Sequence, residues 1–287
     1  MEVGIFDQTH NKLGEGPLWH PGRQELFWFD IESRILYRRA GDDQSQWNFD
    51  QFVSAAGWID QETLLIATDN SLASFTITSG TSEVIAPLEN ENPLTRSNDG
   101  RADPYGGFWI GTMGIGHETA AGAIYRYYRG EVRQLFSDIT VPNAICFSPD
   151  GGFAYFADSM RQQIMRQKLD PADGWPKGDP EVFVDLTGEK FGPDGAVVDA
   201  LGNLWNARWG GYAVACYGPD GKLKQTLSLP TALITCPGFG GSDLSTLFVT
   251  SAWLDLSAEK RQQQPAAGQT FRFENAGKGQ AEHQVIL

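Results

Sequence analysis

The chain has 287 residues, enough to bury a substantial core, and a formal net charge of −14. That charge argues against binding a phosphate backbone, which needs a basic surface, and against attachment to an anionic membrane. No apolar run approaches the roughly 20 residues needed to span a bilayer, and 33 glycines with 12% aromatics favour an all-β architecture rich in turns.

Read from the N-terminus, one unit recurs: a polar head, a short strand, a tight turn, an aromatic strand, a third strand and an outer strand. The first runs from Glu15-Gly16-Pro17-Leu18-Trp19 through a turn at Pro21-Gly22-Arg23 to Leu26-Phe27-Trp28-Phe29-Asp30, then Ile35-Leu36-Tyr37-Arg38 and an outer strand near Trp47 to Phe52. A degenerate second unit is expected to start near Ala56-Gly57-Trp58 and to continue as Leu64-Leu65-Ile66-Ala67-Thr68-Asp69. The third begins at Asn98-Asp99-Gly100 and leads to Phe108-Trp109-Ile110-Gly111-Thr112-Met113. In the fourth, Pro142-Asn143-Ala144-Ile145-Cys146-Phe147 turns at Pro149-Asp150-Gly151 into Phe153-Ala154-Tyr155-Phe156-Ala157-Asp158. The fifth starts at Asp194-Gly195-Ala196, and the sixth near Cys236-Pro237-Gly238.

These heads are spaced by roughly 40–50 residues, the period of four-stranded propeller blades. Six units predict a single six-bladed β-propeller domain over residues 1–287, since no linker-like shift in composition divides the chain. Val3 to Phe6 and Gln284 to Leu287 are both apolar candidates for the strand that closes the ring, and the sequence does not choose between them. The opening heptapeptide lacks the basic and apolar regions of a signal peptide. Cys146, Cys216 and Cys236, odd in number and without CxxC spacing, fit buried free thiols in a reducing cytoplasm.

In a propeller the first strand of each blade lines the central channel, so equivalent heads converge although they are far apart in sequence. Here the heads read Glu15, Asn98, Asn143 and Asp194. Two carboxylates and two amides form a set of hard oxygen donors, better suited to Ca²⁺, Mg²⁺ or Mn²⁺ than to a structural zinc. Each residue taken alone has a plainer reading, because Asp and Asn before strands often only bond their own backbone. Register across four units is what argues for a site.

The motifs Leu13-Gly14-Glu15-Gly16-Pro17-Leu18-Trp19, Arg96-Ser97-Asn98-Asp99-Gly100, Gly111-Thr112-Met113, Pro142-Asn143-Ala144 with Phe147-Ser148-Pro149-Asp150-Gly151, and Pro193-Asp194-Gly195 resemble those of the regucalcin/gluconolactonase (senescence marker protein) family of sugar lactone hydrolases, in order and spacing. The resemblance implies a propeller with one divalent ion, drawn from Ca²⁺, Mg²⁺, Mn²⁺, Zn²⁺ and Fe²⁺, held by Glu15, Asn143 and Asp194. It further implies Arg96 and Asn98 as substrate contacts, Asp194 as general base, and an acidic substrate contact in the loop after Gly-Thr-Met, for which the local candidates are His117 and Glu118, Glu118 being the acidic one. The family's usual glycine after the ligand asparagine is Ala144 here.

The expected activity is hydrolysis of a small-molecule, gluconolactone-like aldonolactone to the open acid. A divalent ion would polarise the lactone carbonyl and lower the pKa of a water, and Asp194 would take the proton. There is no G-x-S-x-G elbow, and His10, His20, His117 and His283 fall in no triad-like context. Two other readings stay open: a calcium-binding regulatory or ligand-binding propeller without turnover, and a phosphotriesterase-like hydrolase. Oligomeric state is left open.

Overall fold

Short runs of aromatic and branched apolar residues, interrupted by Asp-Gly and Pro-Gly turns, are too brief to build helices and pair instead into antiparallel sheets. The computed structural model describes residues 1–287. After an N-terminal strand, β1 (Gly4–Asp7), the first sheet comprises β2 (Gly14–His20), β3 (Glu25–Asp30), β4 (Ile35–Ala40) and β5 (Asp43–Asn48). The second holds β6 (Val53–Trp58), β7 (Thr63–Thr68), β8 (Ser71–Thr76) and β9 (Thr81–Pro87). The third holds β10 (Thr95–Ala102), β11 (Phe108–Gly114), β12 (Gly122–Tyr128) and β13 (Glu131–Ile139). The fourth is β14 (Pro142–Phe147), β15 (Phe153–Asp158), β16 (Gln163–Lys168) and β17 (Glu181–Asp185). The fifth is β18 (Gly192–Val198), β19 (Leu204–Trp209), β20 (Ala213–Tyr217) and β21 (Leu223–Ser228). The sixth contains β22 (Ile234–Gly240), β23 (Thr246–Ser251) and, past a short loop helix α1 (Ala258–Gln263), β24 (Thr270–Phe273).

Each inner strand packs beside the next, and β22 returns to β2, so the six sheets form a six-bladed β-propeller as the repeat predicts. Apolar side chains of neighbouring blades fill the wedges between sheets: Phe27 and Phe29 meet Leu64, Ile66 and Phe75, while Cys146 and Tyr155 meet Val198 and Leu204. Trp109 and Trp205 occupy matching places on second strands, opposite Arg101 and Val197, while Trp28 lies two residues nearer the head of its blade, and all three are fully buried, as core aromatics should be. All three cysteines are buried and free.

Of the two apolar ends, the N-terminal one closes the ring. β1 pairs antiparallel with β24 through Gly4↔Arg272 and Ile5↔Phe271 and completes the sixth sheet. The C-terminal segment crosses the channel at the end opposite the strand heads. There Gln280 Nε2 donates to the carbonyls of Phe147 (3.0 Å) and Val198 (3.1 Å), and the Ile286 amide to Gly106 O (2.9 Å).

Two expected heads move. In β6 the register shifts between Val53 and Ala55, which puts Ser54 at the head of blade two, while Gly57 lies toward the other end beside Val285. In β22 the shift falls between Ile234 and Pro237, so Thr235 shares the head position with Cys236. The outer strand of blade one also sits earlier than its aromatic flank suggests, at Asp43–Asn48.

Candidate active site

Every inner strand breaks register at its head, between Glu15 and Leu18, Ser97 and Gly100, Asn143 and Cys146, and Pro193 and Ala196 in the four blades with a strong polar head. Such bulges re-aim side chains that regular pleating would send sideways. At Gly16 the backbone turns to φ +54, and at the matching Ala144 to φ 58, an uncommon conformation for a residue with a Cβ. Gly195 answers a different need: a Cβ there would collide with the Cys236 side chain.

The strand leads are pinned by aspartates that end the second strands. Asp30 accepts the amides of Lys12 (2.8 Å) and Leu13 (3.0 Å), just before Glu15. Asp158 likewise accepts those of Thr140 (3.0 Å) and Val141 (3.1 Å), just before Asn143.

Glu15, Arg96, Asn98, Asn143 and Asp194 all line one cavity of about 750 Å³ at the mouth, and all five are buried. Glu15 Oε2 accepts its neighbouring Gly16 amide at 3.1 Å, and Asp194 Oδ1 the Gly195 amide at 3.1 Å. No other protein group donates to either carboxylate. Burial, then the charge of Asp99, raises the Glu15 carboxyl to about 8, against the pull of Gly16 and Arg96. Burial, then Glu15 and Asp99, holds the Asp194 carboxyl well above the usual range. Asp99, whose Oδ2 takes the Ile145 amide at 2.7 Å, is itself pushed up to about 6, chiefly by burial. The mouth therefore holds an excess of buried acid, and Arg96 is the one buried base on the cavity wall, Lys190 lying at its exposed rim.

The amides are oriented by a donor chain that spans three blades. Arg96 Nη1, which can only donate, gives to Asn98 Oδ1 at 2.9 Å. Asn98 Nδ2 gives to Pro142 O (2.9 Å) and Asn143 Oδ1 (3.3 Å). Asn143 Nδ2 gives to Ser159 Oγ at 2.9 Å, and that hydroxyl gives to Pro193 O at 2.6 Å. The Asn143 oxygen thus faces Asn98, its neighbour on the cavity wall, and the NH₂ end faces Ser159. Two carboxylates and one amide oxygen suit a hard divalent cation. No group of three or more His, Cys, Asp and Glu side chains gathers anywhere in the chain.

Glu118 stands apart. It is exposed and absent from the cavity wall, and its Oε2 accepts the Gly116 amide at 3.1 Å within its own loop. Its neighbour His117 lines the cavity instead, with Met113, Met160, Phe191, Trp209 and Leu254 supplying apolar wall. His20 is a structural residue: it is fully buried, with Nε2 beside Asp60 O (2.9 Å) and Nδ1 accepting the Arg23 amide (3.2 Å).

Sequence reading passes over Asp99, Ser159 and Arg101. Asp99 lies between Asn98 and Gly100, and that Asn-Asp-Gly run is the signal in the sequence that points to it. Arg101 sits deeper in the channel, where Glu282 of the C-terminal segment pairs with it.

Residues 13–253 match the family described as SMP-30/Gluconolactonase/LRE-like region. Among curated relatives, the L-arabinolactonase of Azospirillum brasilense is 36% identical over 98% of this chain and 94% of its own. The pentonolactonase of Haloferax volcanii is 32% identical over 98% of this chain and 97% of its own. A crystal structure of a calcium-binding protein, regucalcin, from Agrobacterium tumefaciens superposes with a TM-score of 0.97 at 42% identity, covering 99% of this chain and 97% of that one. The chain belongs to the SMP-30/gluconolactonase family.

Proposed function

We propose that this protein hydrolyses a sugar-acid lactone, a gluconolactone-like aldonolactone, to the open acid, assisted by one divalent cation held by Glu15, Asn143 and Asp194. The observation that carries the reading is the pair of buried carboxylates, neither ion-paired, that share a substrate-sized cavity with an oriented amide oxygen. The lactonase names of the relatives support it. When bound, a divalent ion would polarise the carbonyl, acidify water and offset the repulsion between the two carboxylates.

The chain's own residues then have distinct tasks. Arg96 and Asn98, side by side on the wall, hold the substrate's carbonyl or ring hydroxyls. Asp194 Oδ2, which no protein donor occupies, takes a proton as the water oxygen bonds to the carbonyl carbon. When the acyl–oxygen bond breaks, the ring oxygen leaves as a hydroxyl and carries that proton away. The apolar wall of Met113, Met160, Phe191 and Trp209 keeps bulk water from one side of the ring.

The related calcium-binding regucalcin favours one second reading, a propeller that binds calcium without turnover. Chelator-stripped protein, supplied in turn with Ca²⁺, Mg²⁺, Mn²⁺, Zn²⁺ and Fe²⁺, is assayed for ring opening of aldonolactones by proton release, with paraoxon as a control ester. Lactone turnover that returns with added ion is expected. Turnover indifferent to chelation would refute the role of the ion, and ion binding without turnover would favour the second reading.

A further inference from the structure

Ser159 begins a 3-10 turn, Ser159–Arg161, directly after β15. Its position is fixed by backbone and side chain alike: the Ser159 amide donates to Val141 O at 2.9 Å, and Asp158 pins both the turn and the lead into β14. Its hydroxyl lies between Asn143 of blade four and Pro193 of blade five, the residue before Asp194.

The chemistry of these neighbours dictates a direction. Pro193 offers only a carbonyl here, so the single hydroxyl proton of Ser159 is spent on it, at 2.6 Å. The hydroxyl oxygen is then an acceptor toward Asn143. Only the NH₂ end of the Asn143 amide can meet it, at 2.9 Å, and the oxygen end must face the other way. Asn98 Nδ2, donating to that oxygen at 3.3 Å, agrees. A flipped Asn143 would present two donors to a site meant for a cation, and would set oxygen against the acceptor face of Ser159.

We propose that Ser159 is a positioning residue for the cation site: its hydroxyl locks Asn143 with Oδ1 toward the channel and ties the Asn143 and Asp194 strands together across the blade boundary. This rests on the reading of Glu15, Asn143 and Asp194 as the cation's holders. Partners of this kind, one bond behind a ligand, typically change metal affinity by about 10–100-fold when removed.

The test is calorimetric titration of chelator-stripped protein with Ca²⁺ and Mn²⁺, on wild type, Ser159→Ala and Ser159→Thr, with thermal unfolding of the stripped proteins alongside. Ser159→Ala should bind about 10–100-fold more weakly. Ser159→Thr, which retains one donor and one acceptor, should restore most of the affinity, while the stripped variants melt close to wild type. Should Ser159→Ala not fold, Ser159→Cys carries the same expectation, because a thiol is a poor donor to Pro193 O. Wild-type affinity in Ser159→Ala or Ser159→Cys overturns the proposal and leaves the cation site standing. A wild-type protein that takes up neither ion overturns the cation site itself, and this role with it.

Discussion

Replacing Asp194 by Asn is the sharpest perturbation of the proposed chemistry. The backbone there is held independently of the carboxylate, since Asn206 Nδ2 donates to Asp194 O at 2.7 Å, and an amide oxygen can still accept the Gly195 amide now taken by Oδ1 at 3.1 Å. Shape and local hydrogen bonding are therefore retained, while charge and basicity are lost. Without a cation, burial and then the charges of Glu15 and Asp99 hold the Asp194 carboxyl well above the usual range, so a neutral Asn adds no buried charge that the metal-free fold must carry. Stripped Asp194→Asn should then melt close to wild type at pH 7. Cation affinity should fall, because one of the two carboxylates is gone. At saturating cation kcat should still drop by about 10²-fold or more, the scale of a lost general base. Calorimetry fixes the saturating concentration for each protein, and lactone kinetics are measured there. Normal kcat at saturation would refute the base assignment, and normal cation affinity as well would show that Asp194 does not hold the ion.

Other consequences are equally open to measurement. The chelator-stripped protein should lose stability as pH rises: Glu15 and Asp99 bind protons more tightly folded, at about 8 and about 6, than unfolded, so their contribution is complete below about 4 and drains away from there up to about pH 6 for Asp99 and about pH 8 for Glu15. Melting temperatures across pH 4–9 test this, and a flat or rising profile would contradict it. For Asn98→Ala, cation affinity should stay nearly intact while kcat/KM falls, as calorimetry beside kinetics would reveal. Ala144 is buried at φ 58, so Ala144→Gly should change stability by less than about 1 kcal/mol, relief of backbone strain offsetting a lost methyl, whereas Ala144→Val should cost about 1–3 kcal/mol in urea unfolding. Glu282→Ala leaves Arg101 unpaired in the channel and should cost roughly 3 kcal/mol or more in the same assay.

The parts of this design legible in sequence are those where residue type and local turn agree. Glu15, Asn98, Asn143 and Asp194 announce themselves because a polar residue just before an apolar strand, followed by a glycine-containing turn, recurs at blade spacing. Blade two lacks that contrast. Its head is Ser54, a small residue inside Val-Ser-Ala-Ala-Gly-Trp, and only the pairing of Val53 with Thr68 and Ala55 with Ala67 locates the bulge. Nor could composition decide which end closes the ring, since Gly4-Ile5-Phe6 and Val285-Ile286-Leu287 are both short and apolar. The choice lies in β24, whose free edge accepts β1 while the C-terminal segment is held by Phe147, Val198 and Gly106 carbonyls elsewhere. Glu118, one of two candidates in its loop, shows the same limit. Proximity to the Gly-Thr-Met motif places it near the mouth, but the loop folds its carboxylate back onto the Gly116 amide and turns His117 to the cavity.

The far end of the channel bears on the chemistry at the mouth. Arg101 is the basic residue nearest below the acids, and its charge lowers the Asp99 carboxyl, though less than the Ile145 amide does. Had it no other partner, it would have to serve as counter-ion for Asp99 and, through Asp99, would ease the ionisation of Glu15. The C-terminal segment prevents this by bringing Glu282 against Arg101, and that pair is close to neutral as a unit. The burden of Glu15, Asp99 and Asp194 is then carried upward, where Arg96 is the sole cation on the buried wall and is itself engaged with Ser97 O and Asn98 Oδ1. A mouth so arranged favours protons on its carboxyls when empty, and the proposed cation would have to displace them. Sealing the bottom of the propeller with an acidic residue is thus part of what keeps the site acidic, and residues 275–287 belong to its electrostatics although none of them lines the cavity.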